Sequence, residues 1–127
     1  MTPVTAGIVQ LHIRATDLPR AIAFYRDVLG LPFLFESNGL AFFQCGPTRL
    51  MLSRPEQPEL DHPSSIVYFG TDDIQKGRDT LVQRGAQGVG QPHMIARLPD
   101  REVWLCDWKD SEGNLMCLME ERNLPKT

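Results

Sequence analysis

The stretch IVQLHIRATDLPRAIAFYRDVLGL, Ile8–Leu31, changes its period part-way along, and that change decides the fold. From Ile8 to Thr16 apolar residues alternate with Gln10, His12 and Arg14, the period-two pattern of a strand that carries those three side chains on one face. From Asp17 onward Ile22, Tyr25, Val28 and Leu29 form an apolar stripe at helical spacing, with Asp17 suited to cap and Pro19 to a first turn. Gly30 supplies a stop that tolerates a left-handed conformation, and Pro32 keeps the helix from resuming.

Three short apolar runs follow, near 33–36, 40–45 and 49–53, divided by SNG and GPT, which reads as a β-meander. The proline-rich RPEQPELDHPSS then suggests a linker, after which the order begins again. A strand is expected over 66–71, a helix from Asp73 to Arg84 with Gly85 as its stop, and further strands beyond. An offset of 56 residues relates Asp17 to Asp73, Gln10 to Ile66 and His12 to Tyr68. A repeat of that length, with one helix and several strands per copy, implies a duplicated α+β domain. One domain of residues 1–127 is expected, with modules over 8–53 and 64–121 and a linker over 54–63.

Composition narrows the function classes. A net charge of −3, a pI near 5.5 and scattered Lys and Arg give no basic field for a phosphate backbone, so nucleic acid is an unexpected partner. No apolar run approaches the roughly 20 residues of a membrane span, and the first residues lack a signal-peptide pattern. A cytoplasmic protein without membrane contact is expected. Cys45, Cys106 and Cys117 are odd in number and lack CxxC spacing, which favours reduced thiols packed as small apolar groups.

Four segments in order, IRATDLPRAIAFYRDVLGL, GPTRLMLSRP, TDDIQKGRDTLVQRGA and DSEGNLMCLMEE, resemble the vicinal oxygen chelate superfamily of glyoxalases, bleomycin-resistance proteins and extradiol dioxygenases. The resemblance spans about 8–120 and implies two βαβββ modules whose curved mixed sheets enclose a cavity, commonly in a homodimer. In metal-using relatives the ligands come from the first and last strands of the two modules, one from each, and those positions fall here on Gln10, Met51, Ile66 and Cys117. Relatives that bind metal usually carry His or Glu at these places. Gln10 offers one carbonyl oxygen, Met51 a soft thioether and Ile66 no donor, so no cofactor is expected, although a divalent metal held by other ligands stays open. His12, His93 and Glu102 or Asp107 are the residues from which such a relocated site would draw, without supporting spacing.

The implied cavity is lined by Gln10, His12, Arg14, Met51, Ile66, Tyr68 and Cys117, with Trp104 a candidate for stacking on a planar ligand or for filling the core. Arg14 suits an anion clamp, and His12 with Tyr68 either metal-free acid–base chemistry or simple ligand binding. Cys117, between Met116 and Leu118, reads as an inert buried thiol, and His62 and His93 as exposed or capping histidines. The leading expectation is a protein that binds a small organic molecule without the usual metal. The alternatives are a metal-dependent or His-based lyase, isomerase or dioxygenase, and an interaction module with a filled cavity.

Overall fold

The computed structural model describes residues 3–125, which divide into two compact units meeting in sequence between Ser64 and Ser65. Each repeats one plan. In the first, β1 (Gln10–Arg14) leads into helix α1 (Leu18–Ala23), followed by β2 (Phe33–Ser37), β3 (Leu40–Cys45) and β4 (Thr48–Ser53). The meander closes on β1 through a parallel β1–β4 pair, giving the strand order β1-β4-β3-β2. In the second, β5 (Tyr68–Gly70), α2 (Ile74–Gln83), β6 (Gln87–Gly88), β7 (His93–Arg97), β8 (Arg101–Lys109) and β9 (Leu115–Asn123) form an equivalent sheet around a parallel β5–β9 pair. Here the second strand is split, β6 and β7 pairing with opposite ends of β8. Both sheets bulge in this outer strand, between Phe33 and Phe35 and between Met94 and Ala96, which adds local twist and curvature.

Both helices start as their sequence dictates. Asp17 accepts a hydrogen bond from the Arg20 amide and Asp73 one from the Lys76 amide, each 3.1 Å long. Each cap satisfies one of the four amides that a first turn leaves unpaired. Gly30 (φ 82°) and Gly85 (φ 102°) end the two segments in the left-handed region that glycine enters without steric cost.

The first helix departs from expectation after Ala23. Phe24–Val28 is a π turn, closed by a Leu29 amide donating to the Phe24 carbonyl at 3.0 Å. The extra residue of that turn fits the count, since Gly30 lies thirteen positions after Asp17 and Gly85 only twelve after Asp73. With the wider turn the adjacent rings of Phe24 and Tyr25 are both buried, so Phe24 joins a core that the helical stripe did not assign to it. Strand β5 is also shorter than expected, and Ile66 precedes it, although the Val67 carbonyl still accepts from the Cys117 amide.

One face of each sheet packs under its helix. In the first unit Ile13, Ala41, Phe43, Leu50 and Leu52 are at most 1% exposed, with Tyr25 against the Phe43 ring. In the second, Phe69, Cys106, Trp108, Met116 and Leu118 are buried, and Gly77 brings α2 so near that a Cβ there would sit 3.2 Å from Leu118 Cδ1. Burying each large apolar side chain contributes about 1.5–3 kcal/mol. The stretch expected as a linker is built into the first unit: Asp61 pairs with the Arg14 guanidinium and Ser64 Oγ accepts from the Arg14 amide at 2.9 Å.

Candidate functional site

Cross-strand register sorts the face of the first sheet opposite its helix into rows. His12 of β1 stands beside Met51 of β4, Met51 beside Phe42 of β3, and Phe42 beside Phe35 of β2. Two residues along, Gln10, Arg49 and Gln44 make a second row; two residues the other way, Arg14, Ser53, Leu40 and Ser37 make a third. Strand periodicity alone explains why the polar residues of β1 gather here, because Leu11 and Ile13 take the helix side.

Hydrogen bonds link the rows. His12 Nε2 shares a 2.7 Å bond with Ser53 Oγ, which orients the exposed imidazole. Gln10 donates to the Met51 sulfur at 3.6 Å through its amide nitrogen, while its amide oxygen accepts from Arg49 Nε at 3.1 Å. Phe35 and Phe42 stack with centroids 4.5 Å apart and planes 27° from parallel, and the Arg49 guanidinium lies 5.7 Å from the Phe42 centroid. A surface of imidazole, guanidinium, amide, thioether and stacked rings offers both apolar contact and directed polar contact, the mixture that small-molecule sites use.

The equivalent face of the second sheet is less polar. Tyr68 of β5 stands beside Cys117 of β9, and Cys117 beside Asp107 of β8. In the next row Gly70 meets Met119, Leu105 and His93. Tyr68 is 53% exposed, whereas Cys117 is wholly buried and its thiol donates to the Leu118 carbonyl. Burial, which strips water from the thiolate, pushes the Cys117 thiol up to about 11. It is therefore a protonated thiol at neutral pH and a poor nucleophile.

One family model and several known structures match the fold of this chain. Residues 7–117 match the model of the Glyoxalase/Bleomycin resistance protein/Dioxygenase superfamily. The chain belongs to that superfamily. The chain is also 25% identical over 126 residues to the uncharacterized protein YraH of Bacillus subtilis (strain 168), covering 86% of this chain and 94% of YraH. Among solved structures, a lactoylglutathione lyase from Agrobacterium tumefaciens is 26% identical with a TM-score of 0.71, covering 91% of this chain and 94% of that one. An integron cassette protein from the mobile metagenome of V. cholerae shares the fold at 17% identity, with a TM-score of 0.77 over 94% of this chain and 98% of its own. No helix of the described residues is long and apolar enough to cross a membrane.

Of the residues singled out from sequence, Gln10, His12, Arg14 and Met51 fall in the first unit and share its open face. Ile66, Tyr68, Trp104 and Cys117 fall in the second. Trp104 separates from Tyr68 and Cys117, because β8 turns Asp107 toward Cys117 and Trp104, three residues earlier, to the opposite side. There its indole donates to Glu102 at 3.1 Å and its ring lies 4.6 Å from the Arg122 guanidinium.

Arg14 is no open clamp, since Asp61 already pairs with it. His62 and His93 are exposed and bond to nearby carbonyls of Pro63 and Gln91. Glu102 and Asp107 face opposite sides of β8, and among the described residues no three His, Cys, Asp or Glu side chains gather as a metal site would require. Arg49, Phe35 and Phe42 were not assigned a role from sequence. The signal available was parity: Arg49 lies two residues before Met51 on one strand and so shares its face.

Glu120 was also unassigned. Its carboxylate, almost wholly buried, accepts from the Ile74 amide and from Arg122 Nε, each at 2.8 Å, fastening the start of α2 to β9. The Arg122 guanidinium beside it holds that carboxyl below the usual carboxylate range, with the Ile74 amide adding to the effect against the opposing effect of burial.

Proposed function

We propose that this member of the superfamily binds a small organic molecule on the open face of its first sheet and does so without a divalent metal, so that sequestration is its simplest activity. The observation carrying the reading is the row His12–Met51–Phe42–Phe35 bordered by Gln10 and Arg49, where an imidazole, a fixed guanidinium and a stacked aromatic pair lie within one sheet face. The donor chemistry supports the metal-free part. At the positions where relatives hold an ion, Gln10 has its carbonyl oxygen engaged by Arg49, Met51 has a thioether, Ile66 a hydrocarbon and Cys117 a protonated thiol. A hard divalent ion that needs several oxygen or imidazole ligands does not fit these four residues.

A second reading is acid–base catalysis by His12, favoured by its 2.7 Å contact with Ser53 and by the 26% identity to a lactoylglutathione lyase. An imidazole held by one nitrogen can take up or release a proton through the other. A homodimer in the cytoplasm is proposed alongside, on the family habit and the acidic composition. The readings separate in one experiment: ligand-observed NMR against a library of small organic molecules, together with an assay for turnover of lactoylglutathione with and without a chelator. Saturable binding without turnover is the expected result. Turnover abolished by the chelator would overturn the metal-free reading, and turnover indifferent to the chelator but lost in His12→Gln would favour the second. Light scattering of the eluting protein tests the dimer, for which a mass of one chain would be contrary evidence.

A further inference from the structure

We propose that Arg49 is the anion-binding residue of the first sheet's open face, and that the molecule taken there is a planar aromatic anion with its ring on the Phe35–Phe42 pair. This inference rests on the preceding proposal that the face binds a small organic molecule, and adds the chemical class.

Charge bookkeeping singles out Arg49. The two arginines of this face differ in their partners: Arg14 is paired with Asp61, whereas Arg49 contacts only neutral groups, the Gln10 carbonyl at 3.1 Å and the Phe42 ring at 5.7 Å. No carboxylate partner of Arg49 occurs among the described residues, and none of the three rows contains Asp or Glu. The face therefore presents an uncompensated positive charge. Gln10 engages Arg49 through Nε, and neither terminal nitrogen is used by another described residue. A guanidinium fixed at Nε and open at its two terminal nitrogens suits forked contact with a carboxylate, phosphonate or sulfonate.

The rings supply the rest of the recognition. Phe35 is 46% exposed although its ring stacks on Phe42, so an apolar platform is left facing solvent in the row next to that of Arg49, with Phe42 on the adjoining strand. Arg49 sits diagonally across β4 and β3 from Phe42, near enough for one aromatic acid to touch both groups. Stacking favours a flat ligand, and the guanidinium favours an anionic one.

The test is a titration of the isotope-labelled full chain, followed by amide NMR, with 2-naphthoate and with its neutral isostere 2-naphthamide. Naphthoate is expected to bind saturably, to move amides of Phe35, Phe42 and Arg49, and to bind more tightly than naphthamide, with an advantage that shrinks as salt is added. Arg49→Gln is expected to weaken naphthoate by about tenfold, the effect of losing one charge-assisted contact, and to leave naphthamide unchanged. Arg49→Lys should retain part of the advantage, and the spectra report directly whether each variant is folded. Equal binding of the two compounds, or indifference of naphthoate to Arg49→Gln, would overturn the anion assignment while leaving the face a binding surface. Failure of both compounds to move amides of this face would overturn the assignment together with the reading it rests on.

Discussion

In the first unit the parallel pair β1–β4 sets His12 beside Met51; in the second, β5–β9 sets Tyr68 beside Cys117 in the corresponding register. Around those pairs the frames agree: an aspartate cap, a glycine stop, a meander and a bulged outer strand. What surrounds the pairs does not agree. Gln10 and Arg14 correspond to Ile66 and Gly70, while Arg49 and Ser53, two residues either side of Met51, correspond to Leu115 and Met119, two either side of Cys117. Along the paired strands these four polar groups of the first open face are thus matched by an apolar or absent side chain in the second, whereas farther out Phe42 is matched by Asp107 and Gln44 by Lys109. Frame residues are dictated by local backbone needs that are the same in both copies, whereas open-face residues answer only to what they touch.

The comparison is tested most severely in the cores. Phe43→Ala and Trp108→Ala each remove the largest buried ring in their sheet and should each cost about 3–5 kcal/mol in urea unfolding. A cost below about 1 kcal/mol for either would mean that its sheet does not hold its helix as described.

Next in size is a feature that the first unit lacks. Glu120→Ala leaves the Ile74 amide and Arg122 without their carboxylate and is expected to cost about 2 kcal/mol. At the equivalent place after Met51 stands Arg54, which offers no such acceptor. Because the folded state lowers the Glu120 pKa, its contribution is complete above the unfolded value and disappears as pH falls through the folded one. Stability measured from neutral pH down through the carboxylate range should therefore show an acid slope that Glu120→Gln reduces; an unchanged slope would contradict the pairing.

The two caps sharpen the likeness. Asp17→Ala and Asp73→Ala should each cost about 1 kcal/mol, with no more than a small difference between them. The smallest effect expected is on Cys117, where alkylation of the native protein near pH 8 should be undetectable while the half-buried Cys45 reacts first. Ready modification of Cys117 would mean that its thiol is neither buried nor protonated as described.

Much of the frame was legible because it is written locally: Asp17, Asp73, Gly30 and Gly85 each act within a few residues, and strand parity put Gln10, His12 and Arg14 together. The π turn was not read, although the unequal spacing from cap to glycine recorded it, because one inserted residue hardly disturbs a helical stripe. Arg14 was taken for a clamp because its partner Asp61 lies 47 residues away in a segment that reads as linker. Trp104 was grouped with Cys117 because their relative face depends on the pairing of β8 with β9, which composition does not specify. Arg49 had no assigned role because the ligand position that the resemblance implies on its strand is Met51, two residues on.

The proposal that this duplicated frame binds its ligand without the divalent metal of the metal-using superfamily members is tested most directly by metal content. Protein purified without a metal-affinity tag would be measured by elemental mass spectrometry, before and after incubation with Zn2+, Mn2+, Fe2+ and Ni2+ followed by desalting. No stoichiometric metal is expected under any condition. A stoichiometric ion retained by the wild-type chain and lost in Gln10→Ala or His12→Ala would contradict it.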